Sequence, residues 1–200
     1  MDNRKSESVS HFVYKALCLH LFPGFPLFII PFLSVVNSPA MENKLPIADT
    51  CLVLNGEGFR IAYGMRMYQC GLYLLSNNSE PQSIIKTDAP MAVVMVIKSS
   101  LITGKRLDKS TREGFRNSTG EKYSRVASEI DKFLSMITED LKKDDIFTFI
   151  YTPQRGTEII KNRKSLGIIA GLAFKKALFG IWLCDKPPTL ELKNSMLGMR

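Results

Sequence analysis

Beyond His20 the chain contains no histidine. Both histidines, His11 and His20, fall within the first forty residues. The remainder therefore excludes histidine-based triads, Cys–His nucleophile pairs and ordinary His-containing zinc sites. Cysteine is sparse too: Cys18, Cys51, Cys70 and Cys184 are widely spaced and form no C-x-x-C pair. Three cysteines beyond residue 40 are an odd set, which argues against a disulfide framework. Cys51 and Cys70 lie in apolar, strand-like contexts and read as buried free thiols, because Cys packs as a small hydrophobe. Gly56-Glu57-Gly58 lacks the third glycine of a dinucleotide loop, and no helix start follows it. It is not a phosphate-binding P-loop either. No internal repeat and no low-complexity tract is present. No metal and no cofactor is expected.

What the chain has in excess is positive charge. It carries 27 Lys and Arg against 19 Asp and Glu, a net charge of +8. Apart from Arg4, Lys5, Lys15, Asp2 and Glu7, all of these lie beyond residue 40. Such a balance suits an anionic partner, whether lipid headgroup, carboxylate or nucleic acid, and equally a solvated basic surface. Lys105, Arg106, Lys109 and Arg112 form a basic helical stretch that reads first as a solvated face, with a membrane surface as the alternative. No aromatic residues interleave with the bases, so no nucleic-acid partner is expected. Nothing in the sequence specifies an oligomeric state.

One long apolar run is present. Ala16 to Val36 is 21 residues without a formal charge. Ser38-Pro39-Ala40 follows, with small residues at the −3 and −1 positions of a cleavage site after Ala40. The run is also long enough to span a bilayer, although Pro23, Pro26 and Pro31 each remove a helical donor. Residues 1–40 therefore read as a signal peptide or membrane anchor, and the protein as exported, periplasmic or membrane-anchored. Initiation at Met41 would instead make it cytoplasmic. Residues 41–50 read as a linker, and 51–200 as one domain large enough for a sizeable core.

Within that domain the periodicity changes between strand and helix. Cys51 to Ile61 reads as a strand broken by a turn or bulge at Asn55-Gly56-Glu57-Gly58. Met65–Leu75 and Met91–Lys98 read as strands, the second fully buried. Glu80–Lys86 is a short helix. Thr103–Asn117 places Leu107, Thr111 and Phe115 on one helical face, and Lys122–Leu141 carries an apolar stripe from Val126 to Leu141. Ile146–Tyr151, Thr157–Lys161 and Ser165–Ile168 are strands joined by tight turns. Gly171–Trp182 and Leu190–Leu197 are helices, the first stopped by Asp185-Lys186-Pro187-Pro188. Hairpin-connected strands with grouped helices predict an α+β fold, an antiparallel sheet with helices on one face.

Four segments carry a family resemblance. Leu54-Asn55-Gly56-Glu57-Gly58-Phe59-Arg60 resembles the opening strand motif of the chalcone isomerase-like family, and Tyr68-Gln69-Cys70-Gly71-Leu72-Tyr73-Leu74 resembles its second strand. Arg112-Glu113-Gly114-Phe115 is similar to a helix motif of the family's bacterial exported branch. Phe174-Lys175-Lys176-Ala177-Leu178-Phe179-Gly180-Ile181-Trp182-Leu183-Cys184-Asp185-Lys186-Pro187 resembles the family's ending most specifically. The resemblance covers roughly Leu52 to Leu197. It implies an open-faced sandwich with a ligand cleft between sheet and helices.

The same resemblance implies two functional readings. Some members close a chalcone ring as isomerases (intramolecular lyases), while others are silent and bind fatty acids in the cleft. Arg60 matches the cleft arginine of both groups. The catalytic threonine position of the enzymes is Tyr68 here, as in the fatty-acid binders. Leu107 and Ser110 stand where the enzymes have a tyrosine and a lysine, and Gly114 stands where they have an asparagine. Lys109 is one position off, about 100° round a helix. Arg60 and Tyr68 are thus the expected ligand-binding residues. The expected function is non-catalytic binding of a fatty acid or similar amphipathic acid. The alternative is an isomerase using Arg60 and Tyr68 on an unknown small molecule. Phe174, Phe179 and Trp182 read as packing.

Overall fold

The computed structural model describes residues 41–47 and 50–199. The expected targeting segment, residues 1–40, and Cys18 within it lie outside the described residues. Seven strands run in chain order across one sheet: β1 (Lys44–Ile47), β2 (Thr50–Ala62), β3 (Met65–Leu74), β4 (Met91–Ile97), β5 (Ile146–Thr152), β6 (Gly156–Lys161) and β7 (Lys164–Ile169). Every neighbouring pair is antiparallel. A short helix, α1 (Pro81–Lys86), joins β3 to β4. The β4–β5 crossing contains α2 (Gly104–Thr119), a 3-10 segment (Gly120–Val126) and α3 (Ala127–Thr138). After β7 come α4 (Leu172–Leu183) and α5 (Leu190–Met196). The fold is the expected α+β antiparallel sheet with helices. Among the described residues, no helix is long and apolar enough to cross a membrane.

The main core lies between the sheet and the helices. Strand alternation sends Cys70, Leu72, Val93, Met95, Phe147 and Phe149 to the helix side. The helices answer at their own period: Ile130, Phe133, Leu134 and Ile137 of α3 are buried. Thr103 caps α2, its hydroxyl accepting from the Arg106 N–H. Phe133 binds the two layers, edge-on to Phe115 of α2 and to Phe149 of β5, with ring centroids 5.8 and 5.4 Å apart. The opposite sheet face holds a smaller cluster of Ile47, Leu52, Tyr73 and Ala92.

Three local expectations are corrected. Residues 44–47, expected within a linker, form the edge strand β1, which pairs with β2 from Lys44↔Val53 to Ile47↔Thr50. Residues 122–126, expected as the start of the helix Lys122–Leu141, belong instead to a 3-10 segment. Gly120 at φ 55° ends α2 and interrupts the helical periodicity. Cys51 is exposed rather than buried, since alternation turns it away from Leu52 and the far-face cluster; Cys70 and Cys184 are buried free thiols.

The Asn55-Gly56-Glu57-Gly58 motif is a bulge inside one long strand, not a break in it. The register shifts between Leu54 and Gly56, leaving Asn55 without a partner on β3. Its amide donates to the Asn78 and Met196 carbonyls at 3.0 and 2.9 Å and accepts from the Asn78 N–H at 2.8 Å. The two glycines let α5 lie directly on the strand. A Cβ at Gly58 would come within 2.7 Å of Ser195 Cβ, and one at Gly56 would collide with the Ser195 carbonyl. Gly56→Ala is therefore expected to destabilise the fold by about 1–3 kcal/mol through overpacking. Urea unfolding checks this; an unchanged midpoint at unchanged m-value would mean that α5 does not depend on Gly56.

Candidate functional site

A second register irregularity builds the site. The β2–β3 hairpin turns at Tyr63-Gly64, and Ala62 pairs with Met65 and Ile61 with Arg66. Continued regularly, that register would set Arg60 opposite Met67. Instead Arg60 pairs with Tyr68, and Met67 is the extra residue. Arg60 and Tyr68 thereby become a cross-strand pair on the helix side of the sheet, under α2. The bulge also brings the consecutive residues Met67 and Tyr68 to one cavity, which regular alternation forbids.

Two cavities meet at this pair. The larger, about 530 Å³, is lined by Ala62, Tyr63, Met65, Met67, Leu101, Ile102 and Arg106 in addition to the shared residues. The smaller, about 160 Å³, runs deeper between sheet and helices, past Met95, Phe149, Ile181 and Trp182. Arg60, Tyr68, Leu107 and Ser110 line both. The larger volume falls within the range of about 300–1,000 Å³ typical of small-molecule sites.

Polar atoms at the junction lack partners. Arg60 Nε is buried with no hydrogen-bond acceptor, and no carboxylate among the described residues pairs with Arg60. Trp182 Nε1 is likewise buried and unsatisfied. It lies toward the Tyr68 hydroxyl without reaching hydrogen-bond geometry. Burial, and then the neighbouring Cys70, push the Tyr68 phenol above its ordinary range, outweighing the downward pull of Arg60 and Trp182. Tyr68 is therefore a neutral hydroxyl that can donate, and it is no general base near neutral pH. A fixed cation, an indole N–H and a phenol O–H are what one buried carboxylate requires.

Arg60 and Tyr68 come together as expected. Leu107, Ser110 and Gly114 line the smaller cavity, so the positions read as lost enzyme groups do face it. Lys109 is exposed and lines neither cavity. Arg112 is withdrawn from the basic stretch, bonding Asp108 at 3.1 Å and Asp131 at 2.7 Å. Phe174 and Phe179 are core residues, but Trp182 is also a wall of the site. Lys186, Pro187 and Pro188, read only as a helix stop, line the smaller cavity as well. Sequence reasoning placed Lys175 in the family-like ending but gave it no role. It is fully buried, and its ammonium donates to the Ile84, Ile85 and Thr87 carbonyls at 2.8–2.9 Å, closing the end of α1. Burial is the main cause that lowers its pKa to about 8. It lies in a different part of the core from Arg60.

Sheet order, one-sided helix layer and interlayer cavity define an open-faced sandwich with a cationic site between its layers. Residues 34–198 match the model of the chalcone isomerase-like family, and the chain belongs to that family. No curated protein matches it in sequence. Among solved structures it is similar to a fatty-acid binding protein of Arabidopsis thaliana, with a TM-score of 0.59 and 12% identity, covering 76% of this chain and 88% of that one.

An unpaired arginine beside a cavity is a destabilising arrangement in the empty protein. Arg60→Met is expected to stabilise the unliganded chain by about 1 kcal/mol, by removing the orphaned donor. Thermal unfolding of ligand-stripped protein checks this; a lower melting temperature would show that Arg60 has a structural partner.

Proposed function

We propose that the protein binds a fatty acid or similar amphipathic acid and does not transform it. The carboxylate sits at the junction, bridged by Arg60 and hydrogen-bonded by Tyr68 and Trp182. The tail lies in the larger cavity against Met67, Leu101, Ile102 and Leu107. The observation that carries this reading is the buried Arg60 Nε without a partner, next to an apolar space. The fold of the Arabidopsis fatty-acid binding protein supports it. Catalysis is disfavoured because Tyr68 is held neutral and Leu107 supplies no acid or base. Each buried methylene of the tail contributes about 0.8 kcal/mol before ordering costs.

Titration with saturated fatty acids of graded length tests the proposal. At a hundredfold excess over Kd, binding is expected to stabilise the protein by about 2.7 kcal/mol. Arg60→Met is expected to weaken binding at least about tenfold, the loss of one charged hydrogen-bonded contact. Fatty acids that leave the melting temperature unchanged, with none found by mass spectrometry in protein from its own cells, would sink the proposal.

The charge-free run from Ala16 to Val36 supports a place in the cell envelope. Cleavage after Ala40 and initiation at Met41 leave the same first residue, so N-terminal sequencing does not separate them. A C-terminal alkaline phosphatase fusion does, because that enzyme is expected to be active only after export. A fusion inactive in intact cells would overturn the envelope reading.

A further inference from the structure

The rim of the larger cavity carries features that the fold does not require. At the tip of the β2–β3 hairpin, Tyr63 has φ 53° and Gly64 has φ 72°. A two-residue turn with both φ values positive favours Asn or Gly at its first position, and a bulky residue there is disfavoured. A tyrosine occupies it nonetheless, 92% exposed. Ile61, Met65 and Leu101 beside it are 55%, 42% and 40% exposed. Tyr63, Met65 and Leu101 all line the same cavity. They form a contiguous apolar ring around its mouth, not scattered surface residues.

The surrounding charge is of one sign. The exposed bases of residues 60–68 and 98–110 are Arg66, Lys105, Arg106 and Lys109, and Asp108 is the one acid in these stretches. Asp108 is engaged by Arg112. Lys105 and Arg106 occupy the first turn of α2, which has no acidic residue. Bases there oppose the helix dipole, and neither forms an ion pair among the described residues.

We propose that this rim docks on an anionic lipid bilayer. The Tyr63, Met65 and Leu101 ring enters the headgroup boundary, where an amphipathic aromatic is favoured. The lysines and arginines around it contact anionic headgroups, their stems lying along the apolar surface. The cavity mouth then faces the lipid directly. An acidic protein would match the charge, but the projecting apolar ring inside a basic collar matches a bilayer, charged at its surface and apolar beneath. The proposal stands on the rim and not on what fills the cavity, so it is independent of the fatty-acid reading.

Lipid-bromine quenching of tryptophan fluorescence in the full chain tests it. Trp182 is the sole native tryptophan and is buried, so wild-type emission is expected to stay unchanged. Tyr63→Trp is expected to lose most of its added emission on brominated phosphatidylglycerol–phosphatidylcholine vesicles. It is expected to keep that emission on pure phosphatidylcholine or in high salt. Lys105→Glu/Arg106→Glu in that background is expected to weaken docking about 30-fold or more, as for basic residues at an anionic surface. The same change is expected to keep or raise the melting temperature, since an acid suits a helix N-terminus; lost docking then is not lost folding. Any one of three results would overturn the proposal. These are emission unaffected by brominated anionic vesicles, equal quenching on phosphatidylcholine, and a concentration-dependent dimer dispersed by Tyr63→Ser without any quenching. The last would assign the ring to a second copy of the chain.

Discussion

Where α2 meets α4, two glycines remove the side chains that would hold the helices apart. The space a Cβ would need at Gly114 is occupied by Ile181, and that at Gly180 by Ser118. The Ser118 hydroxyl uses the closeness to donate to the Ala177 carbonyl at 2.8 Å. The helix layer is thereby drawn together above β3, β4 and β5, and Phe115, Phe133, Phe149 and Phe174 fill the space beneath it. The smaller cavity runs alongside this contact, with Gly114 and Ile181 both in its wall. The packing that closes the core and the shape of the site are therefore one constraint. Larger residues at Gly114 would meet Ile181 and intrude on the cavity together.

Several buried polar groups of the core tie elements together, while four buried polar atoms, at Arg60, Lys98, Thr157 and Trp182, have no partner among the described residues. Lys175 satisfies all three ammonium donors on backbone carbonyls. Asn55 bonds three backbone groups. Asp145, deeply set between β5 and the preceding loop, accepts from Asn162, Lys142 and Lys161. These side chains fix elements to one another. Arg60 and Trp182 are buried to a similar degree at the polar atom and bond nothing. Buried donors without acceptors are costly, and two of the four lie beside the same cavity, which is the feature the proposed carboxylate would answer.

Much of the architecture was legible because local pattern and tertiary demand agree. Met91 to Ile97 alternates across both apolar faces and is a central strand; Ile130, Phe133, Leu134 and Ile137 recur at helical spacing and face the sheet. The site was legible only through the resemblance. Counting alternation back from the Tyr63-Gly64 turn places Arg60 opposite Met67 and Tyr68 on the far face. Nothing in composition announces the extra residue that reverses this. Asn55 reverses the register again further along, so Gly56, Gly58 and Arg60 face the helices between two bulges. Trp182 was hidden for another reason: an indole that packs and an indole that lines a cavity look alike in sequence. Edge strand β1 was obscured by its four residues and internal proline, Pro46.

The two irregularities in β2–β3 act in opposite senses and cancel. Outside them the β2–β3 pair keeps one register; between them it is offset by one residue. Insertions and deletions in hairpins are commonly treated as neutral length variation. In this hairpin, loss of one residue at Met67 would restore plain alternation with Tyr68 still opposite Arg60, and would take the Met67 side chain out of the larger cavity with no helix residue altered. A one-residue change of length here therefore alters the apolar lining of the larger cavity and leaves the polar pair in place. Hairpin length thus bears on the shape of the cavity, and the residues at positions 60 and 68 on its polar groups.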